Sequence, residues 1–124
     1  MKIGEYFKMA KGTGILATAD AKGPVDVAVY AKPHVIDDEN VAFIMAEKLT
    51  HENLKSNPYA AYMFLEEEDK LKGMRIFLKK TGEEKDSAKL DEIRRKEYPH
   101  LKGKEYLVYF HVEKVLPLIG AGKE

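Results

Sequence analysis

The feature that most constrains the fold is a series of apolar, strand-length segments joined by links that are mostly too short to contain a helix. Six such segments follow one another, at 13–20, 25–32, 41–46, 59–67, 73–84 and 105–120. Parallel neighbours would each need a crossover of about a dozen residues or more, whereas hairpin-length links join antiparallel strands. The sequence therefore predicts a mainly β protein, with six strands in a closed or half-closed antiparallel barrel.

Three short helices are predicted beside these strands. The first has an apolar face that starts at Ile3, and it is expected to stop at Gly12. The second takes Thr50 as its N-cap and ends at Asn57-Pro58. The third covers residues 86–98, and we expect it to pack on the outside of the barrel.

The segment 25–32 alternates with a period of two residues, which is typical of a strand with one face in a core. One face carries valines and an alanine, and we expect that face to point into the core. The other face mixes small, aromatic and charged residues, which are Asp26, Ala28, Tyr30 and Lys32.

Length and charge limit the classes of protein that the chain can belong to. The 124 residues fit a single domain, 1–124. The 21 basic and 21 acidic residues give a net charge of zero, so no broad attraction to nucleic acid or to an anionic membrane is expected. The chain has no cysteine, signal-peptide pattern or membrane-length apolar run, and a cytoplasmic location is the default expectation.

Three features of the sequence suggest a functional site at first, but their sequence context argues against one. Residues 12–17 read GTGILA, a dinucleotide-binding pattern, but this pattern must follow a strand and open a helix, and here a helix precedes and a strand follows. The four histidines form no HExxH pair, so no metal site is expected. The acidic run 66–69 is expected to be a solvated loop.

The start of the second helix is a candidate anion site. The first turn of a helix has unpaired backbone N–H groups and a partial positive charge. Lys48 adds a full charge, Thr50 a hydroxyl and Asn53 an amide, although Glu52 competes for the same donors. The other interpretation is a capped helix that closes one end of a barrel while Lys48 is solvated. The spacing alone leaves both interpretations open.

The order of elements along nearly the whole chain resembles that of a known family. A leading helix is followed by GILATAD, a glycine-proline turn, VDVAVYAK, an apolar strand and KLTHENLKSNPYAAYMF. Asn53-Leu54 and Asn57-Pro58 stand where that family has an NL pair and an NP start to the next strand. This order resembles the pyridoxamine 5'-phosphate oxidase-like family of FMN-binding split barrels, and in particular its small FMN-binding proteins.

The resemblance implies a split β-barrel with flanking short helices, and a homodimer that holds FMN at the subunit interface. By position, it implies that Ala28, Val29 and Tyr30 lie along the flavin ring. It also implies that the ribityl chain and phosphate run past Ala46, Glu47 and Lys48, and that Thr50 and Asn53 complete the phosphate site.

The expected function is that of an FMN-binding redox protein, either a small flavin-dependent oxidoreductase or an electron carrier with an unknown substrate or redox partner. The chain lacks the longer C-terminal region of the true oxidase, so vitamin synthesis is not expected. Two alternatives stay open. One is a cofactor-free dimeric interaction or stress module, and the other is a relative that binds deazaflavin or haem.

Overall fold

The computed structural model describes residues 2–97 and 104–120, which form one antiparallel sheet with three helices. The helices are α1 Ile3–Met9, α2 Leu49–Ser56 and α3 Ala88–Glu97. The strands are β1 Gly12–Ala19, β2 Val25–Val29, β3 His34–Val35, β4 Asn40–Met45, β5 Tyr59–Glu66, β6 Gly73–Lys85 and β7 Tyr106–Pro117. The mainly β antiparallel prediction is confirmed, with one strand more than expected in the described residues, the short β3.

The sheet has the order β2-β1-β5-β6-β7-β4-β3, and every neighbouring pair is antiparallel. Two register shifts in the β6–β7 ladder, between Phe77 and Leu78 and between Lys80 and Gly82, increase the local bend. The sheet curls until β2 and β4 line the same cavity, although they do not pair with each other. The architecture is therefore a split barrel that is open between these two strands.

The barrel interior is filled by aromatic side chains in edge-to-face contact. Phe7 packs on Phe64 at 5.4 Å between ring centroids, and Phe43 packs on Phe110 at 5.9 Å. Ile3 and Phe7 bury the apolar face of α1 in this core, as its periodicity predicts. Such contacts contribute beyond the area that they bury.

Two ends of elements differ from the sequence prediction. α1 stops at Met9, because Ala10 is already extended, and Gly12 belongs to β1 instead of terminating the helix. The acidic run is exposed from Glu67 onward, but Glu66 is half-buried and accepts a hydrogen bond from the Tyr6 hydroxyl at 2.7 Å.

α3 packs on the outer face of the barrel, as expected, through a separate cluster of Ala42, Leu90, Ile93 and Leu107. It begins at Ala88 and not at residue 86, because Asp86 has a φ of 57° and cannot continue a right-handed helix. Ser87 caps α3, and its hydroxyl accepts a hydrogen bond from the Leu90 amide at 3.0 Å. Tyr98 lies outside the described residues.

The prediction for the valine face of β2 is wrong. Val25, Val27 and Val29 are 82%, 68% and 77% exposed, and the opposite face points into the barrel. A period of two defines both faces of a strand but does not decide which one is inside. Here Tyr30 decides it: its ring packs on Phe43 at 5.9 Å, and its amide donates to the Gly14 carbonyl at 3.0 Å.

A buried histidine anchors α2 to the sheet. The His51 ring stacks on Tyr106 at 4.1 Å between centroids, and its Nε2 lies 3.0 Å from the Glu83 carboxylate. Lys80 pairs with the same carboxylate at 2.7 Å. Partial burial raises the Glu83 pKa, but the hydrogen bond and charge of Lys80, with a smaller contribution from His51, outweigh it and hold the pKa below its ordinary 4.5.

We expect Glu83→Gln to reduce the acid sensitivity of the fold. A depressed pKa contributes stability that is complete above the unfolded-state pKa and is lost as pH falls through the folded-state value. The unfolding free energy of the variant should therefore fall less steeply than that of the wild type below a pH of about 4.5. Urea titrations over a pH series measure this slope. Glu68→Gln, in the exposed loop, is the control and should keep the wild-type slope.

Candidate functional site

The candidate site is a cavity of about 460 Å³ in the split of the barrel. The inner face of β2 forms one wall, β4 forms the opposite wall, and the start of α2 closes one end. Ile93 of α3 and His34 of β3 complete the lining. The volume is within the usual range of about 300–1,000 Å³ for small-molecule sites.

The structure brings six of the eight predicted site residues to this cavity, and these are Ala28, Val29, Tyr30, Ala46, Lys48 and Thr50. Glu47 and Asn53 do not line it. Glu47 is exposed, whereas Asn53 is buried and its side-chain amide donates to the Thr18 hydroxyl at 3.0 Å. Asn53 thus holds α2 against β1, and its role at a phosphate stays a prediction, as do the cofactor roles of the other predicted residues.

Part of the lining is apolar, and we call this part the apolar slot. It includes Ala28 on β2, Ile44 on β4 and Ala46 just after β4, and the two alanines are small. Burial raises the pKa of Tyr30, a hydrogen bond with Thr50 acts in the opposite direction, and the charge of Asp26 raises it further. The Tyr30 phenol is therefore neutral at physiological pH and can donate a hydrogen bond.

The polar end of the cavity lies at the start of α2. The N-cap is Lys48, and Thr50 already lies in the first turn, so the assignment of Thr50 as the N-cap is wrong. The reason is that the Lys48 carbonyl accepts the first helical bond, from the Glu52 amide at 3.0 Å. The amides of residues 49–51 precede that bond, so they are free of the helical ladder. The Lys48 side chain is exposed and makes no hydrogen bond or ion pair with any residue that the structure describes.

Two other charged groups change the electrostatics of this cavity. The Lys32 ammonium lines it but donates to the carbonyls of Phe7 and Ala10, at 2.8 and 2.9 Å, so it serves the C-terminal end of α1. Asp26 lies at the polar end, where its carboxylate accepts a hydrogen bond from the Thr50 hydroxyl at 3.4 Å. Lys48 and Asp26 thus place opposite charges at the same end.

Sequence reasoning missed Asp26, His34 and Ile93 as residues of the site. The alternation of β2 was a usable signal for Asp26, because it shares a face with Ala28 and Tyr30. No local pattern identifies His34 or Ile93, since β3 and α3 reach the cavity only through the curl of the sheet.

Two features of the cavity are favourable for a flavin nucleotide, and one feature is unfavourable. The slot suits a flat aromatic ring, and Lys48 with the free amides of α2 suits a phosphate. The Asp26 carboxylate is unfavourable for that phosphate, because like charges repel. The end of the cavity that a phosphate would use therefore carries charges of both signs.

The remaining motifs can be placed in the fold. The GTGILA segment lies within β1 and opens no helix. In residues 2–97 and 104–120, no group of three or more histidine or acidic side chains could hold a metal ion. His100 lies outside these ranges. No helix in the described part of the chain has the length and apolarity needed to span a membrane.

No protein-family model matches the sequence, and no curated protein matches it. Solved structures do match. An FMN-binding protein from Syntrophomonas wolfei superposes with a TM-score of 0.80 at 21% identity, over 96% of this chain and 85% of that chain. A single-substitution variant of HupZ from Group A Streptococcus gives a TM-score of 0.77 at 18% identity, over 95% of this chain and 100% of that chain. A candidate pyridoxamine 5'-phosphate oxidase from Lactobacillus delbrueckii gives 0.70 at 20%, over 90% and 88%.

Proteins with different ligands in their names share this architecture. An F420 reductase superposes with a TM-score of 0.69 at 16% identity, over 90% of this chain and 94% of that chain. HutZ of Vibrio cholerae, described as a haem-storage protein, gives 0.64 at 21%, over 93% and 91%. The likeness therefore establishes architecture and not a particular ligand. The chain has the split-barrel fold of the pyridoxamine 5'-phosphate oxidase-like proteins.

Proposed function

We propose that this chain is an FMN-binding redox protein, either a small flavin-dependent oxidoreductase or an electron carrier. The observation that carries the proposal is the cavity at the split of the barrel, which joins an apolar slot to a free lysine and the start of a helix. A structural match at a TM-score of 0.80 is named an FMN-binding protein, which supports the same ligand. The absence of cysteine fits a reducing, cytoplasmic location.

The chain would contribute binding and orientation. A bound flavin supplies hydride or electron transfer, and the protein positions it and tunes its surroundings. Ala28 would allow the ring to approach the backbone of β2, and the neutral Tyr30 would cover one edge. Lys48 would hold the phosphate by a charge-assisted contact. No side chain of the site needs to act as a general base.

We further propose that the functional unit is a homodimer with the cavity at its interface. The exposed valines of β2 continue into an apolar outer surface, because Val29 pairs with Ile15 and Ile15 pairs with Met63 across β1 and β5. An apolar surface on an edge strand favours self-association. A second copy packed on β2 would cover the cavity mouth beside it and complete the site.

The direct test is the absorption spectrum of the protein as purified, followed by titration with FMN. Bound flavin gives two visible absorption bands, and its fluorescence is expected to change on binding. A protein that stays colourless and does not change the fluorescence of added FMN at any ratio would contradict the proposal.

Lys48→Ala tests the predicted position of the phosphate. The loss of a charge-assisted contact should weaken FMN binding about ten-fold to a hundred-fold, because such contacts contribute about 1.5–3 kcal/mol. Fluorescence titration measures the change. Lys70→Ala, in the exposed β5–β6 turn, removes the same charge away from this cavity and should bind FMN as the wild type does. Equal affinity in both variants would place the phosphate elsewhere.

A second candidate is haem binding at the same cavity. Its lining includes His34, and histidine is a common ligand of haem iron. Titration with haemin distinguishes the two candidates, since ligation by histidine produces a sharp Soret band that His34→Ala would remove. F420 belongs in the same titration series, because an F420 reductase shares the fold.

A further inference from the structure

Asp26 lies beside the residues of the proposed phosphate site. It lines the cavity at the end formed by Lys48 and Thr50, and its side chain is half-buried on the inner face of β2. Its carboxylate accepts one long hydrogen bond, from the Thr50 hydroxyl at 3.4 Å. It forms no ion pair with any lysine, arginine or histidine in the described ranges.

The fold does not account for this carboxylate. Asp20, Asp37 and Asp69 each accept hydrogen bonds from backbone amides two residues further along, at 2.7 to 3.0 Å, and so stabilise turns. Asp26 lies inside a strand, opposite Thr18, and accepts no backbone amide. A polar group that is half-buried and so little used by its own chain is available to a ligand.

The charge of Asp26 acts directly on any anion at this end of the cavity. A phosphate would share this end of the cavity with a carboxylate of like charge, which repels it. A ligand hydroxyl would instead donate a hydrogen bond to the carboxylate. The polar end thus combines a donor side that suits an anion with an acceptor that suits a hydroxyl.

We infer that Asp26 is a specificity-determining residue that penalises the flavin phosphate and binds the hydroxyls of the ribityl chain. The inference rests on the proposed flavin site and deepens it. We therefore expect the protein to bind riboflavin about as well as FMN.

The test is a comparison of FMN and riboflavin affinities in the wild type and in Asp26→Asn. The amide is neutral and nearly isosteric, and its oxygen still accepts the Thr50 hydrogen bond. We expect the ratio of FMN affinity to riboflavin affinity to rise about ten-fold in the variant, and riboflavin to bind more weakly than to the wild type because its hydroxyls lose a charged acceptor. Asp38→Asn, which removes the same charge from the exposed β3–β4 turn, should leave both affinities unchanged.

Asp26→Ser is a second variant in case the amide perturbs β2, and circular dichroism shows that each variant is folded. The rise in this affinity ratio should shrink at high salt, because the repulsion between the carboxylate and the phosphate is electrostatic. If the wild type binds FMN and neither variant changes the ratio of the two affinities, the inference about Asp26 is wrong while the flavin site stands. If no variant binds either flavin, the proposed function and this inference both fail.

Discussion

Gly14→Ala is expected to lower the unfolding free energy by about 3 kcal/mol, the upper part of the range for overpacked cores. A Cβ at position 14 would lie 1.9 Å from the Tyr62 hydroxyl oxygen and 2.4 Å from the Tyr30 carbonyl oxygen. Tyr62 cannot easily move, because it is buried and its hydroxyl donates to the Ala31 carbonyl at 3.1 Å. The strain therefore falls on the backbone that leads into the cavity wall.

Urea unfolding followed by circular dichroism measures this loss, and flavin titration of the folded variant measures its effect on the site. The Gly14 carbonyl also accepts a hydrogen bond from the Tyr30 amide. A shift of this backbone should therefore weaken FMN binding as well as lower the stability. Gly82→Ala is the matched control, since a Cβ there meets nothing within 4 Å. Its stability should stay within about 0.5 kcal/mol of the wild type. Equal stability in the two variants would mean that the Tyr62 hydroxyl and the Tyr30 carbonyl do not crowd position 14.

Val27→Lys is expected to convert the proposed homodimer to a monomer and to remove most flavin binding. Val27 is 68% exposed in the middle of the valine face. A symmetric dimer built on this face buries Val27 of both copies. Each buried valine contributes about 1.5–3 kcal/mol to the free energy of association. The two lysines would also bring like charges together. Dimer affinity should therefore fall by at least about a hundred-fold.

Light scattering after size-exclusion chromatography gives the mass of each variant, and FMN titration follows on the same samples. Leu71→Lys is the control, because Leu71 is 72% exposed in the β5–β6 turn and away from the valine face. It should remain dimeric and bind flavin. A Val27→Lys protein that is still a dimer would show that the copies associate through another surface, whereas a wild-type monomer would contradict the dimer itself.

Much of the fold could be predicted because its local signals agree with one another. Alternation identifies β2, and the turn before it is held by Asp20, whose carboxylate accepts the Lys22 and Gly23 amides. Gly23, with a φ of 108°, takes a backbone conformation that suits glycine. The short links then determine that neighbours are antiparallel.

The remaining features depend on tertiary contacts. The two-residue strand β3 has too little sequence to carry a period, and it pairs with β4 only because the preceding chain returns beside that strand. α2 starts two residues earlier than predicted, because the Lys48 backbone, and not the Thr50 side chain, begins the helix. The sequence does not predict that Lys48 and Asp26 line the same cavity, because only the curl of the sheet brings these two charges together.

The split of the barrel has a thermodynamic consequence. β2 is held by ladder bonds on its β1 side, and the cavity separates it from β4 on the other. A molecule that fills this gap touches both walls at once and restrains the free edge of β2, so its binding free energy adds to the resistance of that strand to local opening. Ligand occupancy of the gap and the rigidity of β2 are therefore thermodynamically coupled.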